Sequence, residues 1–309
     1  MPITPQVARL LAEWAAVPTT PVTELSAEKV RADDRAILDL QRPPPRLFAI
    51  EDVSLPGGQL TARIYRPRRG KLPTMIYFHG GGFVIGAASY DRVLRELAVA
   101  TDHLIVAPNV RLAPEHPFPA AVNDALAATR CVLQTAAELG AVPGRIGVCG
   151  DSSGGNLAAV VAWELARQSG PLAFQVLVYP MLDATASLPS YRTFAKGYGF
   201  TREKSLWYFG QYLPERVERR DPRVSPLFAP SLEGLPPTLV ITAEYDPLRD
   251  DGEEYARRLE DAGGSVELRR FTGVIHGFFQ MTGAVDAAQE AQRAIADWVE
   301  RRTSSSWRR

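Results

Sequence analysis

Apolar residues recur along most of the chain in short runs, and these alternate with longer stretches that have helical spacing. Short apolar runs bounded by turn residues predict strands, and apolar residues three and four positions apart predict helices. This alternation favours a mostly parallel sheet covered by helices on both faces. The strands predicted in this region are residues 74–78, 104–108, 145–149, 174–179, 238–243 and 266–271. The helices predicted between and after them are residues 90–101, 118–138, 153–169, 252–262 and 284–301.

The chain before this alternating region divides into two parts. Residues 6–17 and 26–41 each carry apolar residues on one helical face, and prolines separate them from the rest of the chain. We therefore expect a helical appendage over residues 1–45. Residues 47–55 and 60–65 flank a Pro-Gly-Gly turn, which predicts a β-hairpin and brings the predicted sheet to eight strands.

One long stretch, residues 182–235, has no good strand pattern although it lies between two predicted strands. It is rich in aromatic residues and prolines, and an insertion of this length commonly forms a lid or a binding wall. We expect this insertion and the appendage to form a helical cap over a core of residues 46–181 and 236–301. The alternative is a peripheral pair of helices whose aromatic side chains simply pack on the core. Residues 302–309, with three consecutive serines, are expected to form a frayed tail.

The composition is typical of a globular protein and gives no support to several function classes. The 309 residues are 46% hydrophobic and 23% charged, and a chain of this length can bury a large core. Its 35 basic residues equal its 35 acidic ones, so nothing indicates a nucleic-acid partner or a general attraction to anionic membranes. The first residues lack the basic and apolar regions of a secretory signal, and no apolar stretch is long enough to span a membrane. A cytoplasmic location is the default expectation.

The chain has two cysteines, Cys131 and Cys149, and they do not make a metal-ligand cluster. Cys149 lies in the strand predicted at residues 145–149, where a buried thiol acts as a small apolar side chain. We expect that role for Cys149, and a disulfide is the weaker alternative.

Two glycine-containing motifs, each after a predicted strand, together predict an acyl-transfer enzyme. Residues 150–154 have the pattern G-x-S-x-G, which places the hydroxyl of Ser152 on a sharp turn between a strand and a helix. Residues 79–82, His-Gly-Gly-Gly, supply a loop whose N–H groups can face a developing oxyanion. Either motif can arise by chance, but both motifs after apolar strands make chance improbable. Ser152 is therefore the predicted nucleophile.

A serine hydroxyl is a poor nucleophile until a base accepts its proton. The chain has four histidines, of which His79, His103 and His116 precede the serine. In a fold with this serine turn, the order along the chain is serine, acid and histidine. His276 alone follows the serine, and it lies after the last predicted strand, where open α/β folds build their sites. His276 is therefore the predicted base.

The acid that orients the base should follow a strand between the nucleophile and the base. Asp246 comes directly after the next-to-last predicted strand, which makes it the predicted acid. Glu244, Asp250 and Asp251 are its competitors. For Asp250 and Asp251 the alternative role is to cap the helix predicted at residues 252–262.

An oxyanion hole needs two or three N–H donors close to the developing charge. Ser153 offers one at the start of a helix, and Gly81 and Gly82 offer the others. Glycines let the backbone approach a substrate closely. A plain tight turn is the alternative role for these glycines.

Five motifs resemble, in this order, those of the hormone-sensitive-lipase-like esterases, the bacterial family IV carboxylesterases of the α/β-hydrolase fold. The motifs are residues 79–83 (HGGGF), 110–116 (VRLAPEH), 150–156 (GDSSGGN), 246–250 (DPLRD) and 276–278 (HGF). The resemblance covers about residues 45–300. It departs from the family pattern at Ser153, where alanine is commoner, and at Val110, where tyrosine is frequent.

The resemblance implies hydrolysis of carboxylic esters with short to medium acyl chains, without a metal or a cofactor. It implies that the triad is Ser152, Asp246 and His276, with the N–H groups of Gly81, Gly82 and Ser153 as the oxyanion hole. The family often forms homodimers through the edge strand that corresponds to residues 266–271, and the residue alternation there neither requires nor excludes this.

Three rival functions stay open. The same triad could hydrolyse amides or formamides or remove acetyl groups, because a fold does not choose its substrate. Some proteins of this fold are ligand receptors that have lost the triad, but all three triad residues are present here. A long-chain lipase would need an exposed apolar lid. Residues 182–235 mix aromatic with charged residues, which favours soluble esters over long-chain lipids as substrates.

Overall fold

An eight-stranded sheet organises the residues that the computed structural model describes, which are 2–18, 20–56, 60–168 and 172–304. The strands are β1 (Ala49–Ser54), β2 (Thr61–Arg66), β3 (Leu72–Phe78), β4 (Leu104–Pro108), β5 (Ala141–Asp151), β6 (Gln175–Val178), β7 (Thr238–Tyr245) and β8 (Val266–Ile275). Their order across the sheet is β1-β2-β4-β3-β5-β6-β7-β8. Strand β2 pairs antiparallel with β1 and β4, and all other neighbours are parallel. The predicted eight-stranded, mostly parallel sheet is confirmed.

Helices cover both faces of this sheet, as the alternation of patterns predicts. In the described part of the chain they are α1 (Pro5–Ala15), α2 (Ala27–Asp33), α3 (Asp91–Thr101), α4 (Ala120–Gln134), α5 (Ser153–Ala166), α6 (Ser190–Thr193), α7 (Arg202–Tyr212), α8 (Arg249–Asp261) and α9 (Asp286–Thr303). The buried apolar residues form two cores. One core contains side chains of α4, α5 and α8, and the other contains side chains of α1, α3 and α9. The sheet therefore lies between two helical layers.

Two element boundaries differ from their predicted positions for identifiable reasons. Strand β5 begins before the predicted residues 145–149 because Ala141 pairs with Leu72 of β3. The helix predicted at residues 26–41 is α2 followed by a 3-10 helix at Asp34–Leu40, so the apolar face continues through a tighter turn.

The two ends of the described region also bear on the sequence predictions. Helix α9 ends at Thr303, so it includes the first residues of the segment 302–309 that the sequence predicts to be frayed. Residues 305–309 lie outside the described residues, and so do residues 57–59, which include most of the predicted hairpin turn.

The junction between β5 and α5 explains the glycines of the G-x-S-x-G motif. Every residue of α5 from Ser153 to Trp163 is buried, so this helix runs through the core directly after the strand. A side chain on Gly150 would collide with the backbone of Gly154, and one on Gly154 would collide with the carbonyl oxygen of Phe78. The two glycines therefore allow α5 to start close against the ends of β3 and β5.

Candidate active site

Ser152 lies at this junction in a backbone conformation that non-glycine residues rarely adopt. Its φ is +54° and its ψ is −121°. Its N–H donates to the carbonyl of Val178 at 2.9 Å, and its carbonyl accepts from the N–H of Met181 at 3.0 Å. These hydrogen bonds hold a strained turn of the kind that presents a nucleophile at the end of a sheet.

Ser152, His276 and Asp246 form a continuous hydrogen-bonded series. The Nε2 atom of His276 lies 3.0 Å from the Oγ of Ser152, and its Nδ1 lies 2.7 Å from the Oδ2 of Asp246. Because a carboxylate accepts, Nδ1 carries the hydrogen and Nε2 is left to accept the serine proton. Asp246 is fully buried, and its Oδ1 accepts from the N–H of Leu248 at 2.8 Å. The acid is thus fixed by both of its oxygens.

The imidazole of His276 also contacts two aromatic rings. The ring of Tyr179 lies 4.7 Å away between centroids, and that of Phe200 lies 4.5 Å away and nearly parallel, at 28°. Phe200 belongs to the insertion, so this segment reaches the predicted base directly.

The other acids near the predicted base have different partners. Glu244 accepts a hydrogen bond from the N–H of Gly273 at 2.8 Å. Asp250 and Asp251 lie in the first turn of α8, where their carboxylates accept from backbone N–H groups of residues 182–190. They therefore attach the insertion to the core rather than cap the helix, because the helix begins earlier than predicted.

None of the other three histidines hydrogen-bonds to Ser152 in the described part of the chain. His79 is buried with its Nδ1 2.8 Å from the carbonyl of Gly80, and burial lowers its pKa. His103 is buried with its Nδ1 2.6 Å from the carbonyl of Thr101, and burial lowers its pKa to about 4. His116 is exposed in its loop.

Gly81 and Gly82 have positive φ angles of 108° and 62°. A side chain on Gly81 would meet Ile85, and one on Gly82 would collide with the ring of Tyr208. Neither glycine N–H donates a hydrogen bond to another described residue. Both glycines line the same cavity as Ser152, so their N–H groups are available to a bound molecule.

That cavity has a volume of about 340 Å³ and draws its walls from three parts of the chain. The core supplies Ser152, His276, the two glycines, Asp151, Tyr179 and Met181. The appendage supplies Trp14, Asp34 and Ile37, and the insertion supplies Phe200, Lys204 and Tyr208. The walls combine apolar and aromatic side chains with two carboxylates, those of Asp34 and Asp151, and the ammonium group of Lys204.

Sequence reasoning did not identify three residues at this site: Asp151, Tyr179 and Phe200. Asp151 stands inside the G-x-S-x-G motif, so its position next to the nucleophile was a usable signal. The sequence shows the aromatic content of the insertion as a whole, but no local pattern singles out Phe200 as the ring beside His276.

The described residues contain no group of three or more histidine, cysteine, aspartate or glutamate side chains placed to hold a metal ion. Cys149 is fully buried and Cys131 partly buried, and both are free thiols. In the described ranges, no helix combines the length and the apolar character needed to cross a lipid bilayer.

Known proteins share this sequence and this architecture. A family described as alpha/beta hydrolase fold matches residues 75–280. The carboxylic ester hydrolase LipN of Mycobacterium tuberculosis is 43% identical over 268 residues, which cover 82% of this chain and 71% of that protein. The ethyl acetate hydrolase of Pseudomonas putida is 38% identical over 251 residues, which cover 78% of this chain and 79% of that protein.

Among solved structures, a hyperthermophilic esterase from the archaeon Pyrobaculum calidifontis is similar over almost the whole chain. The two share 38% sequence identity and superpose with a TM-score of 0.91. The match covers 97% of this chain and 98% of the esterase. The likeness therefore includes the appendage and the insertion as well as the core.

Proposed function

The chain belongs to the hormone-sensitive-lipase-like family of α/β hydrolases, and on that premise we propose that it is a serine carboxylesterase for short- to medium-chain esters. Its family makes it a carboxylic ester hydrolase. The serine mechanism is carried by one observation, the hydrogen bonds that join Ser152 through His276 to the buried Asp246.

In the proposed reaction, the Oγ of Ser152 attacks the ester carbonyl carbon while its proton passes to the Nε2 of His276. The carbonyl oxygen becomes an oxyanion and accepts hydrogen bonds from the N–H groups of Gly81, Gly82 and Ser153. His276 then protonates the leaving alcohol as the carbon–oxygen bond breaks, and an acyl-enzyme remains. Water attacks the acyl-enzyme and gives its proton to the same histidine, which returns it to the serine as the acid leaves. Asp246 orients His276 and stabilises its charged form.

The substrate class rests on the cavity. Small-molecule sites usually measure about 300 to 1,000 Å³, and the 340 Å³ of this cavity is at the low end. The apolar and aromatic part of its wall, which includes Trp14, Ile37 and Phe200, suits a compact, uncharged acyl or alcohol group. A relative whose name specifies ethyl acetate supports the same size range.

We further propose that the appendage and the insertion act together as a cap. Both contribute side chains to the cavity, from Trp14 and Ile37 on one side and from Phe200 and Tyr208 on the other. Such a cap excludes water from the reacting groups and limits the length of the acyl chain.

The proposal is tested by hydrolysis of p-nitrophenyl esters from acetate to palmitate, with purified protein beside its Ser152→Ala variant. We expect the activity to peak at short to medium chains and the variant to lose at least about three orders of magnitude in kcat. No hydrolysis by a folded wild-type protein would contradict the proposal and would direct the next assays to amides and formamides. A maximum at palmitate would contradict the proposed chain length.

A further inference from the structure

We propose that the two residues flanking the nucleophile, Asp151 and Ser153, are positioning residues. They hold the glycine loop, residues 80–83, at both of its ends. The Oδ1 of Asp151 accepts from the N–H of Gly80 at 3.0 Å, and the Oγ of Ser153 accepts from the N–H of Phe83 at 3.2 Å. The two glycines proposed as oxyanion donors lie between these attachment points. This inference rests on the proposed function and concerns how the N–H groups of Gly81 and Gly82 are positioned relative to Ser152.

The first attachment is a buried network of five groups. The hydroxyl of Tyr90 accepts from the N–H of Gly80 at 2.9 Å and from the Nε2 of Gln280 at 2.7 Å. Its single proton is therefore directed to the Oδ2 of Asp151, at 2.8 Å. Tyr77 donates to the Oδ1 of Asp151 at 2.9 Å. Each partner of the carboxyl group is thus a donor, which suits an ionised carboxylate.

The charge of Asp151 is set by two opposing influences. Burial is the larger influence and raises the pKa of Asp151 above its ordinary value, while the hydrogen bonds from Tyr90, Tyr77 and Gly80 and the nearby imidazole of His276 oppose this rise. A buried carboxylate with several donors exchanges those partners only at a high free-energy cost. The network is accordingly a rigid anchor for the loop.

The network joins three catalytic segments that are distant in sequence. Asp151 is next to the nucleophile, Gly80 is next to the first donor glycine, and Gln280 lies four residues beyond His276. A side chain on Gly80 would come within 2.7 Å of both the Oδ2 of Asp151 and the hydroxyl of Tyr90. The backbone of the loop at Gly80 therefore packs directly against Asp151 and Tyr90.

The second attachment restrains a residue in an unfavourable conformation. Phe83 has a φ of 65°, which a bulky residue rarely adopts. Its N–H bonds to Ser153, its carbonyl accepts from the N–H of Ala113 at 2.9 Å, and its ring stacks on Tyr212 at 3.8 Å. The loop between Gly80 and Phe83 is thus held at each end.

Oxyanion donors act only when they are already aimed at the position of the developing charge, and a displacement of about 1 Å can cost about a hundredfold in rate. Asparagine at position 151 would keep the size of the side chain but would replace one acceptor oxygen with an NH₂ group. This donor would face another donor, because every partner of the Asp151 carboxyl group donates a hydrogen bond to it. We therefore expect the glycine loop to shift in Asp151→Asn. In Ser153→Ala it should shift less, because the other attachments of Phe83 remain.

The test compares Asp151→Asn, Ser153→Ala and the double variant with p-nitrophenyl butyrate as substrate and n-butylboronic acid as a tetrahedral inhibitor. We expect kcat to fall by about 10- to 100-fold in Asp151→Asn and by about three- to tenfold in Ser153→Ala. The inhibition constant of the boronic acid should rise in step with the fall in kcat, while KM changes by less than about threefold. If the residues had a merely structural role, the substitutions would not change kcat and the inhibition constant together while leaving KM nearly constant.

Two further variants keep the outcome interpretable. Tyr90→Phe removes the hydroxyl that Gly80 and Asp151 share, and should reproduce the kcat effect if Asp151→Asn folds poorly. Asp124→Asn is the matched control, because Asp124 is a buried carboxylate that bonds Arg111 and does not line the cavity. We expect it to lower thermal stability without changing kcat.

The inference would be overturned if Asp151→Asn and Tyr90→Phe kept kcat and boronic acid affinity within about threefold of the wild type. It would also be overturned if KM rose as much as kcat fell. A folded wild type with no activity on the ester would overturn the proposed function, and the inference with it. An active wild type with unaffected variants would overturn the inference alone.

Discussion

Backbone strain at Ser152 shows how the proposed nucleophile would serve catalysis at the expense of stability. A residue with a side chain in this region of φ and ψ costs about 1 to 3 kcal/mol, and neighbouring contacts must hold it. Here the partners are the carbonyl of Val178 and the N–H of Met181. The strain is useful because it places the hydroxyl at the end of the sheet, within hydrogen-bonding distance of His276.

Two substitutions, both expected to abolish activity, isolate this strain. Ser152→Ala removes the hydroxyl but keeps a side chain in the strained backbone conformation. Ser152→Gly removes the hydroxyl and the side chain, and with the side chain the steric cause of the strain. Because glycine adopts positive φ without a steric penalty, we expect the glycine variant to be more stable by about 1 kcal/mol. Denaturant unfolding of the two variants measures this difference. A less stable glycine variant would show that the φ of Ser152 stores no strain.

The buried His103 predicts a pH dependence of stability. Its pKa in the folded protein is about 4, below its ordinary value of 6.5, so the unfolded chain binds a proton more readily between these values. The free energy of unfolding should therefore decrease as the pH falls from 6.5 to 4, by about 3 kcal/mol from this group.

The measurement is denaturant unfolding of the wild type and His103→Asn across this pH range. The destabilisation caused by the substitution should shrink as the pH falls, because the variant has no histidine to protonate. A difference that stays constant from pH 7 to pH 4 would contradict this role of His103.

At the residue level, the sequence favours particular candidates where chemistry restricts the choice. The order of serine, acid and histidine leaves His276 as the candidate base, and the end of a strand singles out Asp246. In the structure, His276 hydrogen-bonds to both Ser152 and Asp246. Asp151 could not be interpreted in the same way. Its partners Tyr77 and Tyr90 carry no local signal, because the contacts form only when distant segments fold together.

At the scale of elements, the glycine loop depends on the insertion that covers it. Gly82 leaves room for the ring of Tyr208 from α7, so the loop and the insertion pack without a gap. The insertion is in turn attached to the core by Asp250 and Asp251 at the start of α8. Movement of α7 would therefore alter both the cavity wall and the proposed oxyanion hole.

Gly82→Ala tests this close packing. The new methyl group would collide with Tyr208 at a backbone position that already disfavours side chains, so we expect kcat/KM to fall by at least about a hundredfold. Gly210→Ala is the control on α7, since nothing lies within 4 Å of a methyl group there. It should leave activity unchanged and stabilise the helix by about 1 kcal/mol. Equal activities of the two variants would refute the packing argument.

Phe200→Ala tests the contact between the insertion and the base. Removal of the ring beside His276 opens the cavity and admits water, so we expect kcat for p-nitrophenyl butyrate to fall about tenfold. The ratio of octanoate to butyrate hydrolysis should rise, because the acyl chain gains space. Phe48→Ala is a control, as Phe48 is exposed and lies outside the cavity. An unchanged ratio would exclude Phe200 as a limit on chain length.

At the scale of the whole molecule, the parallel strands gather the proposed catalytic groups at one edge of the sheet. The glycine loop follows β3, Ser152 follows β5, Asp246 follows β7 and His276 follows β8. The carboxyl ends of parallel strands meet at the same edge, which is why open α/β folds build their sites there. Four segments spread over some two hundred residues of sequence thus meet at one edge of the sheet.

The sequence predicted the strands and the fold class but not the order of strands across the sheet. Strand β3 lies between β4 and β5, and such a crossover depends on long-range packing that no local pattern encodes. The proposed cap is recognisable in the sequence as an insertion because it lacks strand patterns, whereas its contacts could not be foreseen. A homodimer through β8, whose outer side has no neighbouring strand in the described sheet, stays a prediction.

The central claim, that Ser152 is the nucleophile of a covalent mechanism, is tested most directly by labelling with diethyl p-nitrophenyl phosphate and mass spectrometry of the digested protein. We expect one diethylphosphoryl group per chain, located on Ser152, with loss of esterase activity in proportion to labelling and no label in Ser152→Ala. A label on Ser153, or full inhibition without any labelled serine, would contradict the account.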